Sequence, residues 1–418
     1  MSVGRRGFVT GSGLGVLAAA AHTARGRLGH DEPVHPDPRH DPHARMPAVP
    51  FHGHHQAGVL TAVPPAASFV ALDVTAAGRA ELRDLLRTLT ERARFLTAGG
   101  TPRNPGPGAP PPDSGTLGPV VPPDGLTVTV AVGSTLFDDR FGLASHAPRH
   151  LKPMTTFPDD DLQPELCGGD LILQICAGAS DTALHALRDI AKHTRGGMQV
   201  RWRVDGFSAP PRPSGIPRNH LGFKDGIANP DAEDAAVARQ LLWAHGSGEP
   251  AWAHGGTYHV CRIIKTLVEF WDRVTLTEQQ QMIGRYRDSG APLGMRHEDD
   301  VPDYRHDPRG ATIPLSAHIR LANPRTTATA HSRIYRRGYN YDRGADENGD
   351  LDIGLVFNAF CRNIGRQFEA TQRRLVGEPM VDYVSPVGGG YFFTLPGVRD
   401  KHDWYARRLL HATSTPRA

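Results

Sequence analysis

The chain is poor in the residues that make cross-linked or metal-stapled scaffolds. Its 418 residues include four cysteines, Cys167, Cys176, Cys261 and Cys361, and none are spaced as a C-x-x-C pair or as a Cys/His zinc set. Neither a disulfide framework nor a zinc module is indicated, and the spacing leaves a Cys167–Cys176 pairing open. Surplus charge is scarce as well: 47 Lys and Arg against 44 Asp and Glu give +3, too little to point to nucleic acid as a partner. No run is long and apolar enough to cross a bilayer, so stable membrane insertion is not expected. What is plentiful is Gly (46) and Pro (36), on a background of 39% hydrophobic and 22% charged residues. That balance is globular, and the length suits two domains of ordinary size or one large one.

Much of the Gly and Pro is pooled. Gly4-Arg5-Arg6-Gly7-Phe8-Val9 and the weakly apolar stretch ending at Ala21 have the layout of a twin-arginine export signal with a short h-region. Residues 1–24 are therefore expected to be a signal peptide read by the twin-arginine export machinery, and the mature protein to work outside the cytoplasm, extracellular or periplasmic; the plain alternative is an accidental Arg pair on a tail. Next come His30, His35, His40, His43, His52, His54 and His55 among Asp and Pro. Residues 25–50 read as a solvated linker, with copper, nickel or zinc binding as the sharper alternative. Residues 99–125 read as a long surface excursion.

Between these stretches the apolar periodicity is regular. Residues 68–74 read as a strand, and Leu82, Leu85, Leu86, Leu89, Ala93 and Leu96 recur at helical spacing. Leu126, Val128, Val130 and Val132 alternate with Thr127, Thr129 and Ala131, and residues 171–176 form a buried-strand run. Leu184, Leu187 and Ala191 are helical, and Val200, Trp202 and Val204 alternate again. The order is β-α-β-β-α-β. The second half repeats it: a strand at 258–264, a helix opened by the Thr275/Glu278 capping box, strands at 334–341 and 354–360, a helix at 362–375 and a strand at 390–395. The predicted fold class is α+β, two ferredoxin-like (β-α-β-β-α-β) domains with antiparallel sheets, at residues 51–210 and 211–400 and followed by a tail at 401–418; a single unrelated α+β fold is the alternative.

The least ordinary segment is Asn219-His220-Leu221-Gly222-Phe223-Lys224-Asp225-Gly226-Ile227-Ala228-Asn229-Pro230. Glycines around an acid let the backbone approach something flat or bulky while the carboxylate points at it. Downstream lie His318-Ile319-Arg320-Leu321-Ala322-Asn323-Pro324-Arg325 and Arg333-Ile334-Tyr335-Arg336-Arg337-Gly338-Tyr339. By themselves one His and several Arg fit a phosphate site, a metal site or a surface equally well.

Taken in order, these pieces resemble the dye-decolourising haem peroxidase family, and most closely its exported deferrochelatase/peroxidase branch. The same likeness includes His55-Gln56-Ala57-Gly58, Gly169-Asp170-Leu171, Trp271-Asp272-Arg273, Ile283-Gly284-Arg285 and Ser289-Gly290-Ala291-Pro292-Leu293, and spans roughly residues 51–397. The resemblance implies one non-covalent haem b in the C-terminal domain, with His318 as proximal iron ligand, Asp225 as distal acid/base and Arg336 as distal cation. Arg333 and Arg337 are near enough in sequence to exchange roles with Arg336. Gly226, Ile227, Ala228, Asn323, Pro324 and Arg325 would line the haem, with Ile227 standing where the family commonly has Thr. Asp382 is the expected carboxylate behind His318.

The activity so implied is oxidation of bulky, phenolic or dye-like donors by hydrogen peroxide; removal of iron from haem, or non-catalytic haem or copper handling, are the alternatives. An aspartate is a base at mildly acid pH, so activity is expected to peak below neutrality. Trp202, Trp243, Trp252, Trp271, Trp404, Tyr339 and Tyr391 are oxidisable side chains open to an electron-relay role, though most suit a core equally well. The physiological electron donor and the oligomeric state have no signature in the sequence.

Overall fold

The computed structural model describes residues 46–103 and 105–412. The twin-arginine segment, the histidines from His30 to His43, and the end of the tail lie outside the described residues.

The first half runs β1 (Ala66–Val74), α1 (Arg79–Ala98), β2 (Thr127–Gly133), β3 (Leu171–Ala177), α2 (Ser180–His193) and β4 (Met198–Phe207). Its strands lie antiparallel in the order β2-β3-β1-β4. The alternation along each strand decides which core a side chain joins. Val128, Val130 and Val132 of β2, with Val70 and Leu72 of β1, pack beneath Leu82, Leu86 and Leu89 of α1. Their neighbours Ala131, Phe69 and Ala71 face the opposite way, into a second core shared with Trp202.

The second half contains α3 (Ala235–Leu241), β5 (Thr257–Thr266), α4 (Val268–Trp271), α5 (Leu276–Ile283), α6 (His318–Ala322), β6 (Tyr335–Arg336), β7 (Tyr339–Ala345), β8 (Leu351–Cys361), α7 (Ala370–Leu375), β9 (Val384–Thr394) and α8 (Arg407–Ala412). β5 lies between β9 and β8, and β6 and β7 both pair with the far side of β8. α5 begins as the Thr275 spacing predicts, with the Thr275 hydroxyl accepting from the Glu278 N–H at 3.3 Å.

Two expectations are corrected here. Residues 334–341 do not form one strand: β6 and β7 keep one register against β8, with Arg336 opposite Ala359 and Tyr339 opposite Val356, but at Arg337-Gly338 the ladder is reduced to the Arg337 N–H donating to the Asn358 carbonyl at 2.7 Å. Glycine there supplies no side chain to pack against a neighbour. The helix expected at 362–375 starts late, because β8 runs on to Cys361 and a π-helical turn, Gly365–Glu369, precedes α7. The wide turn brings Gln367 inward, where its amide donates to the carbonyls of Leu241 and Arg333 at 2.9 and 2.6 Å.

The halves join at both edges. β2 pairs with β9, Val132 opposite Phe393, and β4 pairs with β7 through Phe207 and Asn340. The sheet therefore closes on itself as an antiparallel ring. Its interior carries a polar thread: Asn358 of β8 donates to Gln174 of β3 at 2.7 Å and also bonds His259 of β5. At one seam the Gln56 amide donates to Val130 and Leu395 carbonyls at 2.7 and 2.8 Å, tying the two halves together.

Candidate active site

Strand alternation also makes the site. Ile263 of β5 and Val356 of β8 point into the ring, so Ile264, Leu355 and Phe357 point outward, where they wall a cavity of about 270 Å³. Its other sides are the loop carrying Asp225, helix α6, and Phe368 and Leu375 from the π turn and α7.

Asp225 is held on a turn that its glycines make possible. Gly222 and Gly226 have φ of +85° and +112°, values at which any side chain is strained. The Asn219 side chain accepts from the N–H groups of Leu221 and Phe223 at 3.1 and 3.3 Å. Lys224 is drawn aside by Glu298 and by the Ser214 carbonyl. Asp225 faces Arg336 of β6, whose guanidinium donates to its Oδ1 at 2.9 Å.

His318 is the first residue of α6 and lines the same cavity. Its Nδ1 meets both oxygens of Glu378, at 2.9 and 3.0 Å. Burial disfavours the imidazolium, but the charge and hydrogen bond of Glu378 outweigh it and hold the His318 pKa above its ordinary value. With Nδ1–H donated to that carboxylate, the lone pair is left on Nε2. The carboxylate behind His318 is thus Glu378 and not the expected Asp382, which ends a short 3-10 turn four residues further on.

Of the residues that the resemblance places along haem, Gly226, Ile227, Ala228, Asn323 and Arg325 line the cavity, whereas Pro324 does not. None of the tryptophans and tyrosines named above as relays lines it. Sequence reasoning missed Glu378, the apolar wall of Ile264, Leu355 and Phe357, and the cation Arg262; of the two arginines near enough in sequence to exchange roles with Arg336, Arg333 lines the cavity and Arg337 does not. Arg285 belongs to the Ile283-Gly284-Arg285 piece, but nothing local marks it as a wall residue.

The cavity is rich in guanidinium. Arg285, Arg325, Arg333 and Arg336 all line it, and burial together with the charge of Arg325 pushes the Arg285 pKa down to about 10. The same two causes lower that of Arg333, whose buried Nε has no partner among the described residues. One imidazole with a free lone pair, an apolar wall and a surplus of cations fit a flat, apolar, iron-bearing ring with anionic side arms. Haem has that chemistry.

Residues 56–208 match the family described as Dyp-type peroxidase, N-terminal, and residues 216–399 match Dyp-type peroxidase, C-terminal. The deferrochelatase of Escherichia coli strain K12 is 50% identical over 375 residues, 88% of this chain and 89% of that protein. A DyP-type peroxidase from Cellulomonas bogoriensis superposes with a TM-score of 0.77 at 36% identity, covering 87% of this chain and 98% of the other. Ferric DtpA from Streptomyces lividans gives 0.78 at 31% identity, covering 87% and 97%.

Proposed function

The chain belongs to the Dyp-type peroxidase family, and from that premise we propose that it is a haem b peroxidase that oxidises bulky or phenolic donors with hydrogen peroxide. The observation that carries this reading is that Asp225–Arg336 and His318–Glu378, two charge-paired couples from distant parts of the chain, line one cavity.

In this reading His318 Nε2 is the iron ligand and Glu378 keeps it electron-rich by accepting the Nδ1 proton. Haem held there would supply the redox-active iron that chemistry with peroxide requires. Arg336 occupies Oδ1 of Asp225, which leaves Oδ2 as the atom that would carry a proton between the two oxygens of peroxide. Arg336 would stabilise negative charge developing on peroxide, and because it is already oriented by Asp225 it would do so without reorganising. The remaining guanidinium groups suit the two propionates of haem.

The strand orders β4-β1-β3-β2 and β7-β8-β5-β9 support reading residues 51–210 and 211–400 as ferredoxin-like domains, with haem in the second. Export by the twin-arginine route belongs to the same proposal. A second reading, release of iron from haem with the tetrapyrrole intact, is favoured by the 50% identity to a protein named deferrochelatase.

The test is the absorption spectrum of the haem-loaded protein before and after one equivalent of peroxide, beside His318→Ala and Asp225→Ala. The Soret band is expected to shift in the wild type, to be altered before peroxide in His318→Ala, and to respond about 10²- to 10⁴-fold more slowly in Asp225→Ala. A spectrum indifferent to peroxide sinks the peroxidase reading; free protoporphyrin as product favours the second.

A further inference from the structure

The side chain of Arg336 is held by Asp225, and its main chain is held by a different residue of the same loop. Asn229 donates from Nδ2 to the Arg336 carbonyl at 2.8 Å and accepts at Oδ1 from the Arg336 N–H at 3.0 Å. Donating to and accepting from one residue is what a neighbouring strand does in an antiparallel pair. β6 has such a strand on one side only, with Arg336 opposite Ala359 of β8. The amide of Asn229 takes the other side, as a strand one residue long.

Asn229 is itself tied back to the Asp225 turn, its N–H donating to the Gly226 carbonyl at 3.1 Å. One turn therefore grips Arg336 twice, at the guanidinium and at the backbone. We propose that Asn229 is a positioning residue that fixes Arg336 against Asp225, a role that rests on the peroxidase reading of that pair.

The role requires a primary amide of this length. Aspartate keeps the acceptor but faces the Arg336 carbonyl with a second acceptor; alanine offers neither group; glutamine carries both on a chain one methylene too long. Arg336 acts through placed charge, so a small displacement of its backbone is felt in the rate and not in haem occupancy.

The experiment compares full-length Asn229→Ala and Asn229→Asp with Arg336→Ala and with the Asn229→Ala/Arg336→Ala double variant. Two readouts are used: the rate of the haem-loaded protein with peroxide across pH, and amide hydrogen exchange at Arg336 in the haem-free protein. Each Asn229 variant is expected to slow the peroxide reaction about 10- to 100-fold with haem retained; Asn229→Ala should also speed exchange at Arg336, whereas Asn229→Asp, which keeps the acceptor for that N–H, should not. In the Arg336→Ala background the Asn229 change should cost almost nothing more, because both act through one guanidinium.

Unchanged exchange at Arg336 in Asn229→Ala overturns the proposal, as does an unchanged peroxide rate in Asn229→Asp. So does a loss from Asn229→Ala that is as large without Arg336 as with it. The isosteric Asn229→Asp, which loses only the donor to the Arg336 carbonyl, supplies the rate readout should the alanine variant fail to fold. If Arg336→Ala itself leaves the peroxide reaction intact, the peroxidase roles fail, and exchange at Arg336 alone decides whether the clamp exists.

Discussion

His259 is a single side chain whose chemistry reports on the whole ring. It is 1% exposed and bonded to Asn358, and burial pushes its pKa down to about 4, against the opposing pull of that bond. The unfolded chain takes a proton there below about pH 6.5, whereas the folded chain refuses it until about 4. The contribution to stability is thus fully present above the unfolded value and is lost as pH falls through that window, by about 3 kcal/mol in all. Urea midpoints measured from pH 7 to pH 4 should fall more steeply for the wild type than for His259→Gln; parallel curves would show that His259 is not the group responsible.

Local sequence made some residues readable and left others hidden. Asp225 is marked by the glycines around it, and His318 by the residues that follow it. Glu378 had no such mark, because it stands 60 residues from His318 and only the fold decides which nearby acid reaches the ring. Asp382 was the wrong choice for that reason.

At the level of elements, the turn bearing Asp225 depends on backbone more than on side-chain contacts. At the φ of +112° adopted by Gly226, an alanine is strained by about 1–3 kcal/mol. Gly226→Ala should therefore lower the denaturation midpoint and, by moving the adjacent carboxylate off Arg336, slow the peroxide reaction as well. A variant with normal stability and rate would mean that the turn tolerates a side chain.

The elements that were legible are those whose period is unbroken, such as β2 with its alternating valines and α1 with its leucines. The sequence was less informative where a tertiary demand interrupts the period: at Arg337-Gly338, where one register is carried by two short strands, and at Gly365–Glu369, where Gln367 is turned inward to hold Leu241 and Arg333.

For the whole molecule, the repeated β-α-β-β-α-β order was visible in the sequence, but closure of the ring was not. The β2–β9 and β4–β7 seams join segments far apart in the chain, and no local pattern specifies such a partner. With Asn358–Gln174 and Gln56 also bridging the halves, unfolding is expected as a single transition. Trp202, in the ring interior, and Trp271, in a separate core of the second half, provide local fluorescence probes to compare with far-ultraviolet circular dichroism. Coincident curves are expected; two separated steps would mean that each half is stable alone.

The seams also constrain the order in which the protein is made. When the first half leaves the ribosome, β2 and β4 are bare edges, and the strands that cover them, β7 and β9, end at Ala345 and Thr394. Any chain that stops short of those residues carries open β edges, which are templates for sticking to other chains. The nascent protein has to be kept apart from its neighbours until β9 has been made.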